Sequence, residues 1–347
     1  MKQRTWPSKS DSPRFTALSF IRKQSRHQYH DSPESETSFL PNKPRDQSFP
    51  SSSKKVLNKN NQRDFSLLPY DVLAKIAANF TFPNLRAASM VCTAWRDALR
   101  PLREAMVFLR WGKRFKHGRG GVKPNLSKAL DSFLKGAMRG STLAMVDAGL
   151  VYWEMGKKEE GIVWYLRAAE LGDLVGQCNL GISYLQVDPP NNREAVKWLH
   201  KAAIAGHVRA QYQLALCLHQ GRVVDKNLQE AVRWYLKAAE GGYARAMYNI
   251  SLCYCYGEGL EKSHRLARKW MKRAADRGHS KAQLEHGLHL FSEGQMMKAM
   301  VYLELAHRAG ETSAVHVKNV ILQQLSSTSR DQAMHLVANW RALPSSR

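Results

Sequence analysis

The stretch Ala231-Val232-Arg233-Trp234-Tyr235-Leu236-Lys237-Ala238-Ala239-Glu240-Gly241-Gly242 decides the fold, because weaker copies of it run along most of the chain. The copies lie at 129–140, 161–172, 195–206, 267–278 and 299–310. Their closing glycines, Gly140, Gly172, Gly206, Gly242, Gly278 and Gly310, stand 32, 34, 36, 36 and 32 residues apart. A period in that range predicts stacked supersecondary units rather than one globular core. Within the quoted copy and its lead-in, Leu228, Ala231, Val232, Tyr235, Ala238 and Ala239 recur at helical spacing. Glu230, Arg233, Lys237 and Glu240 fall between them and are expected to face water. Paired alanines let a neighbouring helix approach closely, the aromatic fills the remaining groove, and the closing glycine ends the helix in a left-handed turn.

Upstream of the quoted copy, Ala210-x-Tyr212-x-Leu214-Ala215-x-x-Leu218 reads as a first helix, and residues 221–227 as a loop, so each unit is an αα-hairpin. Matching first helices run through Ala144, Val146 and Ala148, through Cys178, Leu180 and Gly181, through Ala246, Tyr248 and Ile250, and through Ala282, Leu284 and Gly287. An earlier member spans residues 109–115. About six hairpins are therefore expected over residues 105–311, and two fading apolar patterns over residues 312–347 are expected to cap the open end. The fold class is all-α: a small helical module, a hairpin solenoid and a disordered tail. The loop 118–125 and the repeated Trp-Tyr-x-Lys-Ala-Ala resemble the SEL-like repeat, a relative of the tetratricopeptide repeat. The resemblance implies a rigid stack with a concave protein-binding surface.

Residues 1–63 are rich in Ser, Pro, Lys, Arg and Asn with apolar residues scattered singly, so the segment cannot bury enough surface to offset the ordering of its backbone. It is expected to be a disordered, basic tail. Residues 14–22 have the basic amphipathic character of organelle transit peptides, a lesser alternative to a solvated tail. From residue 64 the composition changes. Val72, Leu73, Ile76 and Phe80 share a helical face, Pro83-Asn84 breaks that helix, and Val91, Cys92, Trp95 and Leu99 lead on to Pro101. About 40 residues make a marginal core, and apolar side chains left over should find a partner. Leu68, Pro69, Asp71, Val72, Leu73 and Ile76, then Val91, Cys92, Trp95 and Arg96, resemble the F-box, over residues 64–104. That resemblance implies docking on the Skp adaptor of Skp-Cullin-F-box ubiquitin ligases, with Leu68, Pro69, Leu73, Ile76, Val91 and Trp95 as contacts. Trp95 is an equal candidate for the module's own core.

The net charge of +24 divides as +8 in residues 1–63, +1 in 64–104 and +15 in 105–347. Residues 110–139 hold nine Lys/Arg against Asp131, and residues 262–281 hold eight against Asp276. Two basic patches result, suited to an acidic or phosphorylated protein substrate. In the first helices one column is polar throughout, Arg110, Asp147, Asn179, Gln213, Asn249 and Glu285. It reads either as a solvated face or as a column presented to a bound peptide.

Catalytic chemistry is not indicated. Ser132-x-x-Lys135 lies inside a repeat helix without companion motifs, and His286-x-x-His289 places His286 at a core position. Gly-rich phosphate loops and G-x-S-x-G are missing from the chain. The five cysteines form no C-x-x-C pair; each falls on a predicted helix and is expected to remain reduced. No cofactor, metal, membrane span or secretory signal is expected, and the predicted setting is cytoplasmic or nuclear. The reading is a non-catalytic adaptor that links a Skp adaptor, and through it a cullin, to a protein held by the repeats. Two rivals stand beside it: a repeat scaffold with no ligase role, and an RNA-binding helical repeat suggested by charge alone.

Overall fold

The structure, a computed structural model, describes residues 69–77, 80–221 and 224–343. The tail over 1–63 and the candidate contact Leu68 lie outside the described residues. Among those described, every regular element is an α-helix, and all fall in the unit Tyr70–Arg347.

Three short helices come first: α1 (Tyr70–Ala77), α2 (Phe82–Ala88), with a proline in its first turn, and α3 (Thr93–Ala98). Cys92 does not lie on a helix, as the sequence suggested. It caps α3, its Sγ accepting the Trp95 amide at 3.4 Å, because a side-chain acceptor satisfies one orphan donor of the first turn. Ala77, Leu85 and Leu99 form the module's core, with Phe80, Trp95, Leu102 and Met106 packed on it. Leu102 and Met106 belong to α4 (Arg100–His117), which carries Leu109 and Gly112 into the first repeat. The module and the stack therefore share one helix.

Six hairpins follow. They pair α4 with α5 (Leu126–Ala137), α6 (Thr142–Glu154) with α7 (Lys158–Glu170), and α8 (Leu174–Gln186) with α9 (Asn192–Ile204). The same pairing joins α10 (Val208–Gln220) to α11 (Leu228–Glu240), α12 (Ala244–Tyr256) to α13 (His264–Asp276), and α14 (Ser280–Ser292) to α15 (Met296–Arg308). Each second helix also packs on the first helix of the next hairpin. All six closing glycines stand at positive φ, between 82° and 100°, as the left-handed stop requires. Side chains of Asn125, Ser141, Asp173, Asn191, His207, Asn227, Ser263 and His279 cap the helices that follow them. Gln177, Gln211 and Gln283 tie one hairpin to the next, each donating its side-chain amide to a carbonyl near the end of the preceding second helix, Ala169, Ala203 and Ala275.

The closure within the hairpins rests on the position after the tryptophan or its equivalent, the buried face on which the sequence reading placed Tyr235; Met271 is half-buried there, and Phe133, Tyr165, Leu199, Tyr235 and Leu303 are fully buried. These side chains enter space left by a small residue on the first helix. A Cβ on Gly149 would stand 2.6 Å from Tyr165 Cε1, and one on Gly181 would stand 2.7 Å from Leu199 Cγ. Gly112 and Gly287 meet Phe133 and Leu303 in the same way. Trp198, Trp234 and Trp270 are buried beside that position. Trp198 and Trp234 donate to Glu194 and Glu230, and Lys201 and Lys237 lie 5.1 and 4.4 Å from their ring centres.

Beyond the sixth hairpin, α16 (Ala314–Gln324) and α17 (Ser327–Asn339) cover the apolar side of α15, with Ile321 and Ala333 in one core with Met300, Leu303 and Ala306. If the small-against-large closure holds the stack, Leu199→Ala should cost about 2–5 kcal/mol. Gly181→Val should cost about 1–3 kcal/mol through overpacking. Urea denaturation followed by helical circular dichroism reads both, and unchanged midpoints would contradict the packing.

Candidate functional site

The module's six sequence-predicted contacts separate in the structure. Ile76 is 50% exposed and Val91 67%, and Pro69 is exposed as well. Leu73, at 1%, is buried and does not present a contact. Trp95 is half-buried against the core of Ala77, Leu85 and Leu99. Tyr70 and Met90 are exposed too, and sequence reasoning did not single them out. A short module with its core already formed thus leaves large apolar side chains in water.

The polar column of the first helices is neither a solvated face nor, for most of its length, a presented one. Asp147, Asn179, Gln213 and Asn249 are 8%, 0%, 7% and 2% exposed, while Arg110 and Glu285 at the two ends are exposed. The cause lies in the packing. A first helix is covered by its own partner and by the preceding hairpin, so eight consecutive residues are buried in α6, from Ala144 to Val151, and eight in α8, from Gly176 to Ser183. The enclosed polar groups meet neighbours in the stack. Lys113 lies 3.4 Å from Asp147, and Arg209 Nη1 donates to Asn179 Oδ1 at 3.4 Å. Burial pushes the Asp147 carboxyl above the usual carboxylate range, opposed by the pull of Lys113.

The two basic stretches also differ. In the first, cations are engaged: Lys116 pairs with Glu154 at 2.7 Å, Lys135 with Asp131 at 2.8 Å and Arg139 with Glu104 at 2.8 Å. In the second, Asp276 accepts from Lys272 at 2.7 Å and from the Tyr302 hydroxyl at 2.6 Å, and Arg273 lies over Trp270. Arg265, Arg268 and Lys269 are exposed on α13 and make no ion pair among the described residues.

The F-box domain model matches residues 65–104, and the Sel1 repeat model matches 109–141, 156–173, 174–207, 208–243 and 244–279. Across its whole length the chain is 64% identical to the F-box protein At1g70590 of Arabidopsis thaliana, covering all of that protein. The chain belongs to the F-box proteins that carry Sel1 repeats. Its sixth hairpin, beyond the matched residues, keeps the same architecture. Chitin synthase regulatory factor 3 of Schizosaccharomyces pombe is 32% identical over 30% of the chain, which is 12% of that protein. Among solved structures, c5321, an antigen of uropathogenic Escherichia coli with an SLR fold, aligns at a TM-score of 0.57 and 20% identity, over 80% of this chain and 64% of that one. A Sel1 repeat protein from Oxalobacter formigenes aligns at 0.54 and 26% identity, over 66% of this chain and 98% of that one. F-box and Sel1 domains are typical of non-catalytic adaptors, and the repeats make a protein-interaction region.

The titratable groups inside the repeats are positioned as structure. Ser132 Oγ donates to the Lys128 carbonyl, away from any base. His219, Cys253 and Glu258 bring donor atoms within 4.8 Å of one another, a grouping the sequence did not reveal. The spread exceeds the donor spacing of about 3.5 Å that a tetrahedral zinc sets. His219 Nε2 lies 3.8 Å from Glu258 Oε2, and burial pushes the Cys253 thiol up to about 12. No helix among the described residues is long and apolar enough to cross a membrane.

His286 packs edge-on against Tyr302 and is pushed down to about 4, first by burial and then by Lys272. His207, the cap of α10, is likewise pushed down to about 4 by burial. Both bind protons more weakly folded than unfolded, so their contribution is complete above about pH 6.5 and is lost as pH falls toward 4. The thermal midpoint should therefore drop across that window, and the His286 ring resonances should titrate near pH 4. A midpoint near 6.5 for His286 would place it in solvent.

Proposed function

We propose that the chain is the substrate-recognition subunit of a Skp-Cullin-F-box ubiquitin ligase. The module docks on the Skp adaptor, and the repeats hold the protein to be modified. The observation that carries this reading is the exposure of Ile76 and Val91 on a module whose core of Ala77, Leu85 and Leu99 is complete without them. Burying two such side chains against an adaptor supplies apolar contacts for docking. Trp95, packed on that core from α3, steadies the module close to the bend that carries Val91.

The chain itself supplies no chemistry in this reading. Its contribution is to convert a bimolecular encounter between ligase and substrate into a local one, and a stiff stack serves that end better than a flexible linker. The direct continuation of the module core into α4 supports such stiffness.

Purified Skp adaptor should be captured by the full chain, and Ile76→Glu with Val91→Glu should weaken capture by at least about a hundredfold. Helical content and thermal midpoint should remain those of the wild type. Absence of adaptor binding by the wild-type chain would contradict the ligase reading and leave a repeat scaffold.

A further inference from the structure

The outer face of α13 departs from its sister helices. Ala267, Trp270, Ala274 and Ala275 are buried, and Arg265, Arg268, Lys269 and Lys272, at i, i+3, i+4 and i+7, form one exposed stripe. The equivalent positions are Arg193, Val196, Lys197 and His200 on α9, Gln229, Val232, Arg233 and Leu236 on α11, and Met297, Met300, Val301 and Glu304 on α15. Val232 and Met300 are buried where Arg268 is exposed, so the stacking of repeats does not call for a cation there. Like charges at i and i+4 destabilise a helix, and α13 holds three such pairs, Arg265 with Lys269, Arg268 with Lys272 and Lys269 with Arg273. Its one acid, Asp276, is taken up by Lys272 and Tyr302.

We infer that this stripe is an anchoring surface for a carboxylate-rich segment of the protein that the repeats bind. The inference deepens the proposed substrate-binding role and is independent of adaptor docking. A helix of 13 residues is about 20 Å long, which matches about six residues of extended peptide. The stripe is one helix wide, because the equivalent positions on α11 and α15 hold one cation between them, Arg233. The aromatic of α13, Trp270, is buried beneath Arg273, so no stacking platform for bases stands on the stripe.

The test uses the full chain and a fluorescein-labelled peptide of about twelve residues alternating Glu and Ser, read by anisotropy. Arg265→Glu with Lys269→Glu should weaken binding about tenfold. The charge-matched Arg193→Glu with Lys197→Glu on α9 should change it by less than about twofold. Adaptor capture should be intact in both. If melting shows the α13 reversal to be unfolded, Arg265→Gln with Lys269→Gln should weaken binding about threefold in its place. Equal weakening by the α9 variant, no peptide binding by the wild type, or tighter binding of a single-stranded oligonucleotide of equal charge would each overturn the inference. None of these failures touches the adaptor result.

Discussion

Four of the six hairpins close because a bulky side chain on the second helix enters a space that a glycine on the first helix leaves empty. Tyr165 over Gly149 and Leu199 over Gly181 show the constraint most directly, since a single added carbon would collide with either ring or branch. Close approach of the two helices then brings the first helix deep between neighbours and buries it on every side. That one arrangement leaves the tryptophans buried beside the contact, with Trp198 and Trp234 donating to Glu194 and Glu230. It also encloses polar residues that a simple helical wheel would leave in water.

A stack closed in this manner is stiff and transmits position along its length. Function accordingly sits on surfaces where the chain retains something packing does not need. Ile76 and Val91 are two such departures, apolar and exposed beside a finished core. The cations of α13 are another, since one helix face gathers Arg265, Arg268 and Lys269, exposed and without an ion pair among the described residues. Exposed charges of that kind contribute little to stability and more to the choice and speed of association.

Much of the fold was legible in the sequence because local backbone chemistry writes it there. Closing glycines mark left-handed stops and apolar positions three and four residues apart mark helix faces; both report on the residue's own neighbourhood. The site was less legible, because exposure is decided by what lies across from a residue. Leu73 and Ile76 are three positions apart on the same predicted face, yet one is enclosed and the other open. Asn179 sits between apolar neighbours at a position that reads as solvent-facing until the preceding hairpin is placed over it. Cys92 looked helical because its neighbours are, and only the cap geometry reveals it as an acceptor. The grouping of His219 with Glu258 spans two repeats and leaves no local pattern.

In the proposed function a docking module and a binding stack divide the labour, and hydrogen–deuterium exchange of the full chain with and without Skp adaptor tests that division most directly. The prediction is new protection confined to peptides covering residues 69–95, around Ile76 and Val91, with exchange across the hairpins unchanged. Protection centred on α13, or none in the module, would contradict it.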